Sequence, residues 1–544
     1  MHNKWIVLGA VIFLLAGCES EKITSTAEVI ATVPELTHIS TPTTEVIPED
    51  MAWLPPYIPE SLRAQVMEQG MTIANSQADA NIWLTLADSS SEGAVNWVYA
   101  LACPFPTVKD DVSLADLQSA WRGQVVEGLR LPLHLSGQTQ VIFTELWGEP
   151  FQEATLIEPS DQLLNSAWQA GDECALIPFE EIQPRWKVIA IDGANPLEKS
   201  FDSSVYGLSV WFDWYDGESQ QTPHPINLEG NREQQKMTTV MVTGTTALVR
   251  GIAARMEQKG ITYPAEKIGG WLEEADITHI SNESSFTEAC TVENPWTMGT
   301  TFCSKPEYIG LLEAVGTDVV ELTGNHLADY GLEPLTDTLD FLHARGMQTY
   351  AAGLTEADAR QPLLLEHNGT KIAFLGCNEA GPERVWASLD TAGVYKCDLD
   401  WMEATIEALS TEGYQVIVTF QYRETWDLEP MPWQRDDFSR MAHAGAMVVS
   451  GSQAHLPMAM TFVGDSFIPY GLGNLFFDQM DTPMVGTRRE LLTRHVFYAG
   501  KYINTQLLTA ELEDYSQPRP MTAEERAEFL TELFNASVWQ EEIP

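Results

Sequence analysis

The chain has 544 residues, of which 44% are hydrophobic and 10% are aromatic. This composition is typical of a globular protein with about three domains or fewer, and it excludes disorder along the whole chain. The chain has 30 Lys and Arg residues and 78 Asp and Glu residues, which gives a formal net charge of −48. A negative field of this size repels phosphate backbones, so nucleic acid is excluded as a partner, and any polyanion would need a local basic pocket.

The N-terminus has the pattern of an export signal. Lys4 gives a positive start, and residues 5–15 are apolar but too few to cross a bilayer. Leu15-Ala16-Gly17-Cys18 resembles the bacterial lipobox, which implies that residues 1–17 are a signal peptide and that Cys18 is acylated. The protein would then be anchored by lipid to a membrane, on the extracytoplasmic side of the cell envelope. The alternative is an ordinary signal peptide with a chance cysteine.

The other six cysteines indicate disulfides, because their number is even and the chain is expected to be exported. Their order along the chain suggests three pairs: Cys103 with Cys174, Cys290 with Cys303, and Cys377 with Cys397. A zinc site is the alternative, but the chain has no C-x2-C pair to support it.

Residues 18–52 are rich in Thr, Pro, Glu and Ser and predict a flexible stalk. Residues 53–231 then have a mixed α/β pattern, with buried strands expected at 81–86 and 97–101 and a helix at 113–121 that begins after the N-cap Ser113. Residues 104–108, 113–117 and 121–123 are weakly similar to type 2 periplasmic solute-binding proteins, which implies a small ligand for this smaller domain. Asp88-Ser-Ser-Ser91 is either an anion cradle or a turn.

A polar segment near residues 229–236 marks the boundary to a second α/β region at 237–515. Short β-rich runs alternate there with amphipathic stretches, such as residues 333–345, which present Leu335, Leu339 and Leu342 on one face. This alternation predicts mostly parallel sheets covered by helices. In the C-terminal segment 516–544, Thr522-Ala-Glu-Glu525 is a capping box that opens a closing helix.

Polar residues follow several of these β-rich runs. Ligands of parallel sheets bind at the carboxyl ends of strands, so these residues are the candidates for a site. Each one alone also fits a turn, a helix start or a structural histidine, but their joint placement favours a shared rim with the layout of a dinuclear metal centre. They are Gly244-Thr245, Ser281-Asn282-Glu283, Gly324-Asn325-His326 with Asp329, Gln421-Tyr422-Arg423-Glu424, and Gly451-Ser452-Gln453-Ala454-His455.

Three motifs in residues 237–515 resemble those of the capsule-synthesis CapA (poly-γ-glutamate synthesis) family. Residues 322–331 are similar to its N-N-H-x-x-D-x-G element, residues 275–283 to its A-D-x-x-x-x-N-L-E element, and residues 470–478 to its G-N-F-x-F-D element. The resemblance covers roughly half of the chain. It implies a four-layer α/β/β/α metallophosphoesterase-like sandwich and a link to capsule or poly-γ-glutamate synthesis.

The resemblance also implies roles for the site residues. Glu283, Asn325 and His455 would hold metal. His326, oriented by Asp329, would act as a general acid or as an oxyanion partner. Two divalent ions would then activate water and stabilise the group that is cleaved.

Three positions depart from the family pattern. Thr245 stands where a carboxylate ligand is expected, and Gln421 and Gln453 stand where histidines are expected. As metal ligands, the two glutamines would offer neutral carbonyl oxygens, which suit Mn²⁺, Mg²⁺ or Ca²⁺ better than Zn²⁺. We therefore expect a single hard ion or no metal at this site, with Glu424 beside the expected ligand position.

Two functions remain open from the sequence. The first is a surface-anchored, metal-dependent hydrolase or transferase of the metallophosphoesterase type. The second is a non-catalytic protein that uses the same fold to bind a capsular or other cell-envelope polymer, or a partner protein.

Overall fold

The computed structural model describes residues 51–89, 93–216, 225–290, 299–481 and 484–539. The signal sequence, Cys18 and nearly all of the predicted stalk lie outside these ranges, as do Ser90 and Ser91 of the predicted anion cradle. Within the described ranges, no helix is both long enough and apolar enough to span a membrane.

The first region is built on one ten-stranded sheet. Its strands are β1 (Met51–Trp53), β2 (Thr72–Ile73), β3 (Ile82–Ala87), β4 (Val95–Pro104), β5 (Asp111–Val112), β6 (Arg130–Leu135), β7 (Thr155–Ile157), β8 (Glu173–Pro178), β9 (Trp186–Ile191) and β10 (Ser209–Tyr215). Its helices are α1 (Glu60–Glu68), α2 (Leu114–Trp121), α3 (Gly137–Trp147) and α4 (Leu163–Ala170). The strand order is β2-β1-β3-β10-β4-β8-β6-β7, and β9 pairs with β4 and β5.

Strand β4 forms the middle of this region because nearly all of its side chains are apolar and buried. Trp97 and Tyr99 are both 1% exposed and pack in the core with the neighbouring strands. The predicted strands at 81–86 and 97–101 are confirmed, and so is the helix after Ser113, whose hydroxyl accepts a hydrogen bond from the Asp116 backbone N–H at 3.0 Å.

The second region contains two large sheets. Its strands are β11 (Met237–Val242), β12 (Thr245–Thr246), β13 (Ile277–Asn282), β14 (Val319–Glu321), β15 (Gln348–Tyr350), β16 (Ala352–Gly353), β17 (Leu363–His367), β18 (Thr370–Asn378), β19 (Gly393–Val394), β20 (Gln415–Gln421), β21 (Ala446–Ser452), β22 (Met460–Val463), β23 (Ser466–Pro469), β24 (Arg489–Tyr498), β25 (Lys501–Glu513) and β26 (Gln517–Pro520). Its helices are α5 (Arg250–Lys259), α6 (Gly269–Glu273), α7 (Ile309–Ala314), α8 (Leu332–His343), α9 (Glu356–Ala359), α10 (Leu399–Thr411), α11 (Pro432–His443) and α12 (Ala523–Ala536).

The two large sheets have different strand directions. The eight-stranded sheet has the order β15-β14-β13-β11-β24-β25-β26, with β12 beside β13, and the six-stranded sheet has the order β17-β18-β20-β21-β23-β22. Strands β11 to β15 run parallel, and so do β18, β20 and β21, as the strand–helix alternation predicts. The segment β24–β26 is antiparallel and was not predicted.

The layers are α/β/β/α, as the family resemblance implies. Apolar side chains of both sheets meet in one cluster, which includes Val240 and Ile277 from the first sheet and Phe374 and Ile417 from the second. On the outer faces, α5 to α8 cover the eight-stranded sheet, and α10 and α11 cover the six-stranded sheet. The predicted four-layer fold is therefore confirmed.

The C-terminal segment contains more than a helix. The predicted capping box is present, because the Thr522 hydroxyl accepts from the Glu525 N–H and the Glu525 carboxylate accepts from the Thr522 N–H. The helix α12 that follows ends at Ala536, and the residues before it form β26, which pairs with β25. The eight-stranded sheet thus extends past residue 515, the predicted end of the second region, and the segment 516–544 is not only a helix.

The three disulfides suggested by the order of the cysteines are present. They join Cys103 to Cys174, Cys290 to Cys303, and Cys377 to Cys397. The first links the adjacent strands β4 and β8, whose residues Ala102 and Ala175 pair directly. Three disulfides fit a chain that folds in an oxidising compartment.

Candidate functional site

The site lies where strands of the two large sheets end side by side. Glu283 follows β13, Asn325 follows β14, Gln421 ends β20 and Gln453 follows β21. Glu283, Gln421 and Gln453 are at most 6% exposed. Parallel strands present their carboxyl ends at one edge, and the packing of the two sheets brings both edges together. The structure thus brings together four of the predicted site residues.

The side-chain nitrogen of Gln421 is at the centre of this cluster. It lies 3.3 Å from Glu283 Oε1 and 3.2 Å from Asn325 Oδ1, and it also donates to Gln453 Oε1. The Gln421 carbonyl oxygen points the other way and accepts a hydrogen bond from Ser452 Oγ at 2.7 Å. Three oxygen atoms from three strand ends therefore converge on one amide N–H₂ group.

The backbone around Glu283 is closely packed. A Cβ atom on Gly324 would lie 2.5 Å from the Glu283 backbone, so only glycine fits where the two strand ends cross. Glu283 Oε2 is buried and has no hydrogen-bond partner among the described residues. The carboxylate is thus held rigidly, with one oxygen paired and the other unsatisfied.

Thr245 lies at the same edge but contributes a hydroxyl where the family resemblance leads us to expect a carboxylate. Its Oγ1 accepts a hydrogen bond of 3.3 Å from the Gln453 backbone N–H. Gln453 has a positive φ of 77°, an uncommon conformation for a residue other than glycine. This strained turn directs the Gln453 side chain to Gln421.

His326 and Asp329 form the predicted pair. His326 Nδ1 is 2.6 Å from Asp329 Oδ2, which also accepts from the Phe302 N–H, while Asp329 Oδ1 binds Arg384 at 2.8 Å. Burial opposes protonation of His326, but the Asp329 hydrogen bond and the Glu283 charge outweigh it and raise the pKa of His326. Burial likewise opposes ionisation of Asp329, but its hydrogen bonds from His326 and Phe302 keep the pKa of Asp329 below its ordinary value.

His455 is buried, and its described hydrogen-bond partner is Asn474 and not a member of the amide cluster. Its Nδ1 lies 2.9 Å from Asn474 Oδ1, and its ring packs near Phe477 and Trp426, with centroids 5.3 and 6.3 Å away. Glu424, which follows Gln421 by three residues, is exposed and is not a hydrogen-bond partner of the cluster.

The donor set does not fit a dinuclear metal centre. Among the residues that the structure describes, no group of three or more His, Cys, Asp or Glu side chains could hold a metal ion. The oxygens of Glu283, Asn325 and Gln453 instead face the Gln421 nitrogen, a hydrogen-bond donor that would repel a cation from the same point. In this arrangement, the two N–H groups of the amide face three oxygens where a cation would otherwise lie, while Glu283 Oε2 stays without a partner among the described residues.

The sequence did not predict an ion pair that lies next to the site. Arg250, at the start of α5, binds Asp478, and its guanidinium carbon lies 4.9 Å from the centre of the Phe302 ring. The Phe302 ring in turn lies 4.0 Å from His326, centre to centre. Asp478 ends the quoted family motif at residues 470–478, which was the available signal, but nothing in the sequence identified Arg250 as its partner.

The fold and the site together define a four-layer α/β/β/α protein with a cluster of amide and carboxylate side chains at its strand ends. Residues 239–479, a little under half of the chain, match the family described as bacterial capsule synthesis protein PGA_cap.

Two curated relatives are named as capsule or PGA biosynthesis proteins. The chain is 23% identical to the capsule biosynthesis protein CapA of Bacillus anthracis over 258 residues, which cover 46% of this chain and 62% of that protein. It is 27% identical to the PGA biosynthesis protein CapA of Bacillus subtilis over 174 residues, which cover 32% of this chain and 46% of that protein. The matches therefore span only about half to three-fifths of these relatives.

Among solved structures, the chain is similar to a hypothetical protein of Thermus thermophilus, with 14% identity and a TM-score of 0.32, over 51% of this chain and all of that one. It is also similar to the NAD nucleotidase of Haemophilus influenzae, with 10% identity and a TM-score of 0.31, over 56% of this chain and 57% of that one. Both scores are low, so neither similarity bears on function.

Proposed function

We propose that this protein is an extracytoplasmic accessory protein in the synthesis of a capsular polymer of the poly-glutamate class. In this proposal, the strand-end site binds the polymer and does not cleave it with a pair of metal ions. The family match of residues 239–479 and the names of the two CapA relatives support the polymer class.

A single observation carries the non-hydrolytic part of the proposal: the oxygens of Glu283, Asn325 and Gln453 all face the Gln421 amide nitrogen. Metal-dependent hydrolysis needs ions that activate water and stabilise developing charge. An amide group carries no net charge and cannot acidify a bound water molecule as a metal ion does. It can instead hold the rim in one conformation and present polar groups to a bound chain.

A polyamide of glutamate would offer backbone amides and free carboxylates. Arg384 and Arg423 have exposed side chains, at 61% and 62%, and they neighbour Asp329 and Gln421 respectively. Each guanidinium group contacts one carboxylate, of Asp329 or Glu379, but stays more than half exposed, so the two arginines are the local positive groups that a polyanion would need on this strongly negative chain. In our proposal, these arginines bind polymer carboxylates through local contacts.

The test is co-sedimentation of the purified protein with poly-γ-glutamate, in the presence and absence of EDTA. We expect binding that EDTA does not change, that weakens with added salt, and that falls in Arg384→Ala and Arg423→Ala. Arg345→Ala is the control, because Arg345 lies just after the end of α8, where it binds Glu313. Binding that requires a divalent ion, or shortening of the polymer during the assay, would contradict the proposal.

A second candidate function is metal-independent acid catalysis by His326. It is favoured by the pair with Asp329, because the Asp329 hydrogen bond raises the pKa of His326 and so favours the protonated ring, the form that can donate a proton. Turnover of a γ-glutamyl or phosphodiester substrate in EDTA, abolished by His326→Ala, would establish it. An absence of turnover in wild-type protein that still binds polymer would exclude it.

The membrane anchor is also a proposal. The lipobox-like sequence that ends at Cys18 supports acylation of that cysteine. Mass spectrometry of the protein purified from membranes should show a diacylglyceryl-modified cysteine at the new N-terminus, and Cys18→Ser should release the protein into the soluble fraction.

A further inference from the structure

A cavity of about 340 Å³ lies between the two regions of the protein. The first region contributes β9 and the segment after it to the wall, and the second region contributes parts of α6, β25 and α12. One liquid water occupies about 30 Å³, so the cavity has room for a small organic molecule. The cavity is separate from the strand-end site, because its wall includes none of Glu283, Asn325, Gln421 and Gln453.

Gln506, in the part of the wall that β25 forms, has an unpaired oxygen atom. Its Oε1 is buried and has no hydrogen-bond partner among the described residues. Arg494 lies directly opposite in β24, is 5% exposed and binds Glu274 at 3.0 Å. Arg494 Nε is also unpaired among the described residues, but Arg494 does not line the cavity. A buried amide oxygen normally accepts a hydrogen bond, so the Gln506 oxygen points to a bound donor.

Glu198 supplies a second acceptor in the cavity wall. Its carboxylate makes no hydrogen bond or ion pair with the described residues, although it is partly buried. It lies close enough to Glu274 and Arg494 to interact with both electrostatically, and these three groups together leave one negative charge. The next residue, Lys199, is paired with Asp276 at 2.7 Å. Burial raises the pKa of Glu198, and a bound cation would relieve the cost of keeping this carboxylate ionised.

The two cations in the cavity wall are not available to an anionic ligand. Lys187 Nζ donates to the backbone oxygens of Thr107 and Val108 and binds Asp110 at 2.7 Å, so all three of its protons are used. Arg526 binds the same Asp110 carboxylate through Nε and Nη2. An anion would therefore have to displace Asp110 before either cation could bind it.

Much of the remaining wall is apolar. Trp271 of α6 and Leu508 of β25 line the cavity, and α12 adds Leu530 and Phe534. The face of an indole ring attracts cations, and the aliphatic and phenyl side chains favour a hydrophobic group. Unpaired acceptors and an apolar surface in one cavity suit a molecule with a positive head and a hydrophobic body.

We infer that this cavity binds a small organic cation, a primary amine whose ammonium group lies at Glu198 and Gln506 and whose hydrophobic body packs against Trp271 and α12. The strongly negative chain favours such a ligand further, because its field raises the local concentration of cations. This site is independent of the strand-end site and of the proposed function.

Calorimetric titration of the purified full-length protein with phenethylammonium, 2-phenylethanol and phenylacetate tests this inference. The three molecules share a phenyl group and differ in charge. We expect phenethylammonium to bind, 2-phenylethanol to bind at least about tenfold more weakly, and phenylacetate not to bind. Glu198→Gln should weaken phenethylammonium binding about tenfold, and Gln506→Met about threefold. Both substitutions nearly keep the volume of the side chain, so a loss of affinity cannot be attributed to a collapsed wall.

Glu153→Gln is the matched control. Glu153 is an exposed carboxylate outside the cavity, so this variant removes the same charge from the chain and should leave phenethylammonium affinity unchanged. Binding of 2-phenylethanol as tight as that of phenethylammonium would overturn the inference. So would phenethylammonium binding that is insensitive to Glu198→Gln, or an absence of binding by all three probes.

Discussion

The Gln421 side-chain nitrogen lies 3.3 Å from a carboxylate oxygen of Glu283, across the boundary between the two sheets of the second region. Each residue sits at the end of a strand in a different sheet, β20 for Gln421 and β13 for Glu283. This contact joins the two halves of the sandwich at the edge where the family resemblance places metal ions.

Removing the amide should destabilise the fold. In Gln421→Ala, the Glu283, Asn325 and Gln453 oxygens lose their common donor, and Glu283 Oε2 already has no partner among the described residues. A buried polar group left unpaired costs about 1–3 kcal/mol, so we expect a loss of that size in the free energy of unfolding. Urea denaturation measures it. Gln77→Ala, at an exposed position, should change the value little, and equal stability of both variants would contradict this role for Gln421.

Gly324 should not tolerate a side chain. The added Cβ in Gly324→Ala would lie 2.5 Å from the Glu283 backbone, so the strand ends must separate, at a cost of about 1–3 kcal/mol. Gly270→Ala is the matched control, because no atom lies within 4 Å of the added Cβ and the residue is in α6. Alanine favours helix over glycine, so the control should be neutral or slightly stabilising. The melting temperature of each variant is measured by thermal denaturation. An equal decrease in both variants would contradict the close approach of Gly324 to Glu283.

Glu490 should make stability fall as pH rises. It is fully buried, neither carboxylate oxygen has a partner among the described residues, and desolvation raises its pKa well above the ordinary value. Below a pH of about 4.3, both folded and unfolded states hold the proton, so there is no penalty. Above that value, only the unfolded chain releases it, and stability is lost with increasing pH. Glu490→Gln should therefore be more stable than wild type at pH 8, with a smaller advantage at pH 4, in urea denaturation at both values. An advantage that does not grow with pH would contradict this account.

His326 and Asp329 should titrate as a pair. The raised pKa of His326 contributes stability below its unfolded value of about 6.5, and this contribution is lost as pH rises through the folded pKa. The lowered pKa of Asp329 contributes stability above about 3.9, and that contribution is lost as pH falls through its folded value. Asp329→Asn should lower the pKa of His326 in an NMR titration, while Asp337→Asn, at a position on α8, should not. An unchanged pKa in Asp329→Asn would contradict the pairing.

Much of the fold could be predicted from local patterns. The helix after Ser113, the capping box at Thr522 and the parallel strands all depend on residue spacing that the sequence shows directly. The antiparallel strand β24 could not be predicted, because its buried residues include Glu490, Arg494 and His495. Polar residues at core positions hide the hydrophobic pattern of a buried strand.

The candidate site, like the fold, could be predicted from the sequence only in part. The position of Gln421 at a strand end could be predicted from the parallel sheet, as could its closeness to Glu283 and Asn325. Its role could not, because a glutamine can offer either an oxygen or a nitrogen to its neighbours. The Glu283 carboxylate accepts hydrogen bonds and so favours the nitrogen on its side, and that closeness depends on the packing of the two sheets.

Titration of the purified, EDTA-treated protein with Mn²⁺ tests most directly whether the Gln421 amide replaces a metal ion. We expect no stoichiometric binding by the wild-type protein. The triple variant Thr245→Asp, Gln421→His, Gln453→His restores the family's ligands and should gain stoichiometric binding. Tight, stoichiometric Mn²⁺ binding by the wild-type protein, lost in Gln421→Ala, would contradict the account.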